Sequence, residues 1–262
     1  MRVAPGVPRR RPLPASPRAG LVREVVLVAG AMLLYFWIRN ITAGNAGRAF
    51  ANARALLDLE QWLGVAWEGA AQGAVIGHER LVDAANWVYI WGHWPVILPV
   101  AVVLYLFRRH DYLLMRNAFF LSGAVGFVLF ALLPVAPPRL LDLGLVDTVT
   151  SQSRAYRTLQ PPGLTNQYAA FPSLHFGWNV LVGIALYDAF RSRVVKALAV
   201  TLPVLMGIAV VVTANHFVVD VVAGGLLVLL ARLVVRRMDA ASTPSRRDEH
   251  TRSHPETTAT LG

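Results

Sequence analysis

Long apolar runs separated by short polar segments dominate this chain. Six runs approach the ~20 residues that an α-helix needs to cross a bilayer. They cover residues 21–38, 81–107, 116–134, 173–190, 194–213 and 216–235. Lipid offers the backbone no water to bond, so runs of this length satisfy their backbone groups as helices. The pattern predicts an all-α integral membrane bundle of six transmembrane helices.

Both ends of the chain differ from this bundle in composition. Residues 1–20 are rich in proline and arginine, and residues 239–262 are polar and charged. Neither segment has enough apolar surface for a packed core, so both are predicted to be disordered, with the membrane domain over residues 21–238. The small residues after the first apolar run are compatible with cleavage of this run as a signal peptide. The aromatic residues at the end of the run favour a membrane anchor that is retained.

The segment between the first two runs repeats apolar residues at helical spacing, with charged residues among them. The apolar positions are Ala46, Ala49, Phe50, Ala53, Leu56 and Leu57. This spacing predicts an amphipathic helix, which either lies on the outer membrane surface or packs as a connector.

Basic residues are distributed unevenly between the two sides of the predicted bundle. The net charge is +10, with 55% hydrophobic and 15% charged residues and no cysteine. If both termini are cytoplasmic, 18 of the 25 basic residues lie on the cytoplasmic side, as the positive-inside rule requires. The charge is interpreted as a topology signal in a multi-pass plasma-membrane protein, and no nucleic-acid partner is expected. The lack of cysteine excludes disulfides and thiol catalysis.

Two histidine motifs stand at the starts of the fourth and sixth runs. They are Phe171-Pro172-Ser173-Leu174-His175 and His216-Phe217-Val218-Val219-Asp220. Ionisable groups in apolar segments are functional candidates by default. His216 and Asp220 share one helix face, so the carboxylate fixes the ring tautomer and leaves a lone pair that can attack phosphorus. His175 is the predicted acid that protonates the leaving alkoxide.

Several groups near these motifs can bind a phosphate. Both helices begin at the extracytoplasmic face in this topology, and a helix N-terminus favours an anion. Ser173 and Asn215 are the predicted N-caps, and Ser173 is also a predicted phosphate contact. Arg139 is the first candidate to bind the equatorial oxygens, with Arg154 and Arg157 second.

Two other chemistries use the same residue types. Two histidines and an aspartate can ligate zinc or iron, but that interpretation gives the arginine and the helix N-termini no role. A proton-coupled transporter would need further ionisable residues along its helices toward the membrane midplane, to relay protons. The fourth run has none between His175 and Asp188, and the sixth has none between Asp220 and Arg232. His93, inside the second run, is interpreted as a buried structural group. The preferred hypothesis is a one-sided phosphoryl-transfer site without a metal or other cofactor.

These motifs resemble those of the type 2 phosphatidic acid phosphatase superfamily, in which an Arg-Pro-type motif precedes Pro-Ser-x-His and His-x-x-x-Asp in a six-span bundle. Arg139, the run from Pro172 to His175, and His216 with Asp220 occupy those places, within residues 81–235. The resemblance implies that His216 becomes a phosphohistidine, that Asp220 orients it, that His175 is the acid, and that no metal is needed. It also implies a lipid phosphate substrate and membrane lipid phosphatase or phosphotransferase activity.

Two positions depart from the family pattern. Leu132 stands where a lysine is usual before the first motif, and Val210 stands where an arginine is usual before the nucleophile. Other groups must therefore hold the phosphate. Pro-Ser-Leu-His in place of Pro-Ser-Gly-His, and Asn-His-Phe ahead of the aspartate, are more similar to the inositolphosphotransferase branch, which resembles inositol phosphorylceramide synthase.

Overall fold

The computed structural model describes residues 17–42, 46–152 and 166–242, and most of them are helical. In chain order the helices are α1 (Pro17–Thr42), α2 (Ala46–Leu63), α3 (Glu68–Ile76), α4 (Glu79–Trp91), α5 (Trp94–Phe107), α6 (Arg109–Leu132), α7 (Thr148–Gln152), α8 (Leu174–Ala189), α9 (Arg193–Val212) and α10 (Val218–Ser242). A short 3-10 turn, Pro138–Leu140, lies between α6 and α7. The predicted all-α class is confirmed.

Helix α8 lies at the centre of the bundle. It packs against α9, α10 and α6, while α10 also packs against α6 and α1 packs on the far side of α6. The core between α5, α6, α8 and α10 consists of aromatic and aliphatic side chains, among them Leu104, Met115, Trp178, Leu181 and Val228. Many large apolar side chains on α9 and α10 are exposed, as expected for a surface that lipid covers.

Three of the described helices, α6, α9 and α10, are long and apolar enough to cross a bilayer. Helices α4 and α5 form a fourth span if the pair crosses as one. Helix α8 has 16 residues, fewer than the ~20 of an untilted span. The membrane-helix architecture is therefore supported, while the number of six spans stays a prediction.

The second predicted run consists of two helices rather than one. They are bent by 43° at a break between Trp91 and Trp94. Pro95 lies in the first turn of α5, and because proline has no N–H to donate, it makes no helical hydrogen bond back to the last turn of α4. The break leaves His93 between the two helices, where it is buried as predicted.

Both predicted boundaries of the membrane domain shift outward. Helix α1 begins at Pro17, inside the predicted arm, because the first helical position needs no N–H from proline. Helix α10 continues to Ser242, past the predicted start of the tail at residue 239, since the two alanines at 240 and 241 favour helix. The rest of the predicted arm and tail lies outside the described residues.

The predicted amphipathic helix is confirmed as α2, and its apolar side is packed. Ala49 and Ala53 are fully buried in a cluster with Phe217, which precedes α10. The Asn52 side chain donates to the Pro134 carbonyl oxygen at 2.8 Å. These contacts favour the packed connector over a helix that only lies on the membrane.

A glycine contact sets the distance between α8 and α10. A Cβ atom on Gly224 would lie 2.1 Å from the Ser173 carbonyl oxygen. Backbone atoms cannot rotate aside, so Gly224→Ala should force the helices apart and lower the free energy of unfolding by about 1–3 kcal/mol. Gly73→Ala in α3, where a Cβ meets nothing within 4 Å, is the control and should be neutral or stabilising. Equal melting temperatures for the two variants in detergent would contradict this account.

Candidate active site

The two histidine motifs meet at the end of the bundle where α8 and α10 begin. The Ser173 N–H donates to the Asp220 carbonyl oxygen at 2.9 Å, which holds the two helix starts side by side. The rings of His175 and His216 lie 5.9 Å apart between centroids. Because atoms poised to react lie about 3–3.5 Å apart, one phosphoryl group between the rings can contact both.

The prediction that His216 shares a helix with Asp220 is wrong, because His216 lies before α10, in the loop over residues 213–217 that joins α9 to α10. Backbone contacts hold this loop. The N–H groups of Asn215 and His216 both donate to the Val210 carbonyl oxygen at 3.0 Å. Ala214 is fully buried with a φ of 52°, a left-handed conformation that residues with a Cβ rarely adopt. Such a conformation persists only where its surroundings impose it. The loop therefore presents His216 in a fixed position.

The His216 side chain contacts a backbone carbonyl and a carboxylate. Its Nδ1 lies 2.8 Å from the Ala170 oxygen and 3.4 Å from Asp220 Oδ2. The carbonyl oxygen can only accept, so Nδ1 carries the hydrogen and Nε2 keeps the lone pair. Ala170 is itself placed by its N–H, which donates to the Val135 oxygen at 3.2 Å. The predicted contact between His216 and Asp220 is therefore present, and the contact with the Ala170 oxygen is shorter.

Asp220 is fully buried, and its Oδ2 accepts the Phe217 N–H at 2.8 Å. Asp220→Asn keeps the size and an acceptor for that amide but removes the negative charge beside the imidazole. Because Ala170 still holds the ring tautomer, we expect kcat to fall by about 10²-fold rather than completely. Steady-state kinetics at saturating substrate measures this effect. A rate within twofold of the unaltered protein would show that the carboxylate does not act on His216.

The His175 ring contacts two other rings. Tyr89 stacks on it with centroids 4.8 Å apart, and His93 lies at 4.3 Å. His93 also stacks in parallel on Trp178 at 5.8 Å. This stack restricts the plane of the His175 ring. His93, which the sequence suggested is structural, thus lies within the candidate site.

Arg139 lies in the wall of the cavity that both histidines line. Its Nη1 donates to Asn215 Oδ1 at 2.5 Å, and its Nε donates to Asp147 Oδ2 at 3.2 Å. Its backbone N–H donates to the Ala214 oxygen at 3.0 Å. These bonds tie the guanidinium to the loop that carries His216. The group has five N–H donors, so donors remain for a phosphate.

The two predicted N-caps behave differently. The Ser173 side chain accepts the Phe176 N–H at 3.4 Å and caps α8, as predicted. The prediction for Asn215 is wrong, because α10 begins three residues later, at Val218. The Asn215 amide instead donates to Thr213 Oγ1 at 2.8 Å, while its oxygen accepts from Arg139. Asn215 therefore joins the loop to the arginine.

Carboxyl groups of the chain itself occupy the N-terminus of α10. The amides of residues 217, 218 and 219 donate to Asp220 at 2.8 Å, Glu68 at 2.9 Å and Glu60 at 2.7 Å, in that order. Amides that are already paired in this way do not offer an anion site. The prediction that this helix end favours the substrate anion is corrected, whereas Arg139 and the start of α8 stay predicted phosphate contacts.

Two of the other positions that the sequence singled out, Leu132 and Val210, are described, and neither carries a charge. Arg154 and Arg157 lie outside the described residues. The Leu132 side chain is exposed, and Val210 is fully buried in an apolar cluster. Within the described ranges, no three histidine, cysteine, aspartate or glutamate residues lie where they could hold a metal ion.

Both histidines and Arg139 open onto a cavity of about 790 Å³. Its wall is mainly apolar and aromatic, with side chains that include Ile97, Phe119, Phe127, Phe130 and Trp178. A pocket with polar groups grouped among apolar walls suits an amphiphilic ligand.

Sequence reasoning missed three contributors to this site. The Ala170 carbonyl is backbone and has no sequence signal. His93 had one, because an ionisable residue beside a broken span often lines a cavity. Glu60 had one too, since it extends the helical spacing of the buried positions Ala49 and Ala53. A carboxyl group on that apolar stripe indicates a buried partner, which is the Val219 N–H, and Glu68 accepts from the neighbouring Val218 N–H.

One comparison with known proteins shows a family, and another shows a similar fold. The family model described as PAP2 superfamily matches residues 54–234. The crystal structure of LpxE from Aquifex aeolicus is similar in fold, with a TM-score of 0.51 and 19% identity over 65% of this chain and 92% of that one. No curated protein matches the sequence at a significant level.

Proposed function

The chain belongs to the PAP2 superfamily, and from this membership we propose that it is a metal-independent lipid phosphatase or phosphotransferase with His216 as its nucleophile. One observation carries the proposal. His216 Nδ1 faces the Ala170 oxygen at 2.8 Å, which leaves Nε2 as the nucleophilic atom beside His175 and Arg139. The family does not favour the transporter alternative.

In the first proposed step, the lone pair on His216 Nε2 attacks the phosphorus of a lipid phosphate. A P–N bond forms while the P–O bond to the lipid alcohol breaks, and protonated His175 gives its proton to the departing oxygen. Arg139 stabilises the negative charge on the equatorial oxygens. Ser173, at the start of α8, is fully buried and does not line the cavity, so its contact with the phosphate stays a prediction. The products are a phosphohistidine and a free lipid alcohol.

In the second step, His175 takes a proton from water, whose oxygen attacks the phosphorus. The P–N bond breaks, inorganic phosphate leaves and His216 is restored. If the substrate is a phosphodiester, such as a phosphoinositol lipid, the intermediate keeps the headgroup. An alcohol acceptor then gives a new phosphodiester, which is the activity that resemblance to the inositolphosphotransferase branch implies.

The cavity and the charge distribution support a lipid substrate reached from the extracytoplasmic side. The apolar walls next to the histidines suit a lipid chain, and the exposed apolar faces of the helices suit contact with the bilayer. Both termini are proposed to be cytoplasmic, because this orientation would put 18 of the 25 basic residues on the cytoplasmic side.

The test is product analysis with purified protein in detergent containing a chelator. The substrates are phosphatidate, polyprenyl phosphates and phosphatidylinositol, each with and without an alcohol acceptor. Free phosphate indicates a phosphatase, and a new phosphodiester indicates a transferase. Activity that the chelator abolishes and a divalent cation restores would overturn metal independence. No turnover of any lipid, with or without acceptor, would overturn the proposed function.

A further inference from the structure

Three buried carboxyl groups from three helices meet at the first turn of α10. Glu60 in α2 accepts the Val219 N–H, and Glu68 in α3 accepts the Val218 N–H. Glu60 is 0% exposed and Glu68 is 4% exposed. Asp220 contributes the third carboxyl from α10 itself. Carboxyl groups are seldom buried this deeply without a specific bond, so these contacts fix where the turn lies.

A proton on Glu60 explains how these acids share one site. Glu60 Oε2 and Asp220 Oδ1 are buried and accept no hydrogen bond from the described residues. The pKa of Glu60 is raised to about 8, mainly by burial; the bond from Val219 lowers it in part, and the neighbouring Glu68 and Asp220 also raise it. Near neutral pH, Glu60 is therefore a neutral acid whose Oε1 still accepts the Val219 amide.

We propose that Glu60 and Glu68 are positioning residues that clamp the first turn of α10 and so hold His216 in its attacking position. His216 lies only two residues before this turn, and Phe217 between them packs against α2. Helix ends fray when their amides lack partners. A displacement of about 1 Å at a reacting atom reduces a rate by up to about 10²-fold. This role rests on the proposed function, because it concerns the nucleophile of that reaction.

Two substitutions at one position separate the clamp from a simple need for negative charge. Glu60→Gln is neutral, keeps an acceptor for the Val219 amide and can donate to Glu68. Glu60→Asp keeps the carboxyl group, but the side chain is shorter by one C–C bond, which moves the carboxyl group about 1.5 Å away from the Val219 amide. We expect Glu60→Gln to stay within about threefold of the unaltered kcat and Glu60→Asp to lose about 10- to 100-fold, with KM changed little in both. Glu79→Asp, at an exposed glutamate in the first turn of α4, is the matched control.

Hydrogen exchange measures the clamp without any turnover. In a peptide covering residues 216–224, amide exchange should be about tenfold faster in Glu60→Asp than in the unaltered protein, and unchanged in Glu60→Gln. If no lipid is turned over, the proposed function fails while this measurement still decides the clamp. Unaltered kcat and exchange in Glu60→Asp would overturn the inference. Equal loss in both variants, or a change confined to KM, would overturn it as well.

Discussion

Replacing His216 with alanine is expected to reduce kcat by about 10⁴-fold or more, the largest effect of any single substitution in this protein. The variant lacks the proposed nucleophilic atom, Nε2 of His216, which would form the P–N bond. Release of phosphate or of a new phosphodiester from the best lipid substrate measures the loss. A melting curve in detergent establishes that the variant is folded.

Trapping the phosphohistidine intermediate tests directly whether His216 is the nucleophile. Rapid quenching of the unaltered protein under alkaline conditions should leave phosphate on the peptide that contains His216, because phosphohistidine is labile in acid and stable in base. His78→Ala, at an exposed histidine before α4, is the matched control and should keep full turnover. Label on another residue, or turnover by folded His216→Ala above one hundredth of normal, would show that His216 is not the nucleophile.

Replacing Arg139 with lysine is expected to lower kcat/KM by about 10²- to 10³-fold. Lysine keeps the charge but loses the planar fork, so it cannot bond Asn215 and Asp147 while also contacting two phosphate oxygens. Orthovanadate, which mimics the transferring phosphoryl group, should inhibit the variant more weakly by a similar factor. This inhibition constant measures transition-state contact apart from substrate entry.

The matched control is Arg80→Lys, at an exposed arginine in the first turn of α4. It should leave both kcat/KM and vanadate inhibition within twofold. If Arg139→Lys loses kcat/KM but binds vanadate normally, the arginine supports the loop through Asn215 and does not stabilise the phosphoryl group. Normal values for both quantities would remove Arg139 from the site.

The structure connects the reacting residues to helices that lie outside the central bundle. Helix α2 packs against Phe217, and the carboxyls of α2 and α3 bind the start of α10. The segment before α8 supplies the Ala170 oxygen that holds the His216 ring. The connecting segments therefore shape the candidate site as much as the spans do, and substitutions in them are expected to affect the rate more than substitutions on the lipid-facing surface.

Much of the fold was predictable because its signals are local. Runs of apolar residues indicate helices in any membrane bundle, and the helical spacing before the second run indicated α2. The pairing of His216 with Asp220 and the cap at Ser173 each involve neighbours in sequence, so spacing was enough to find them. The break at His93 was harder to predict from the sequence. Pro95 can be recognised as part of the first turn of α5 only when the end of α4 at Trp91 is known.

The sequence by itself determined the membrane class, the helices, and the residue types that chemistry at phosphorus needs, because each depends on local periodicity or on a short motif. Only the tertiary structure decided that Ala170 orients His216, that Asn215 binds Arg139, and that Glu60 and Glu68 occupy the end of α10. These contacts join residues 46 to 159 positions apart. No local pattern encodes such contacts, because they depend on how the helices pack.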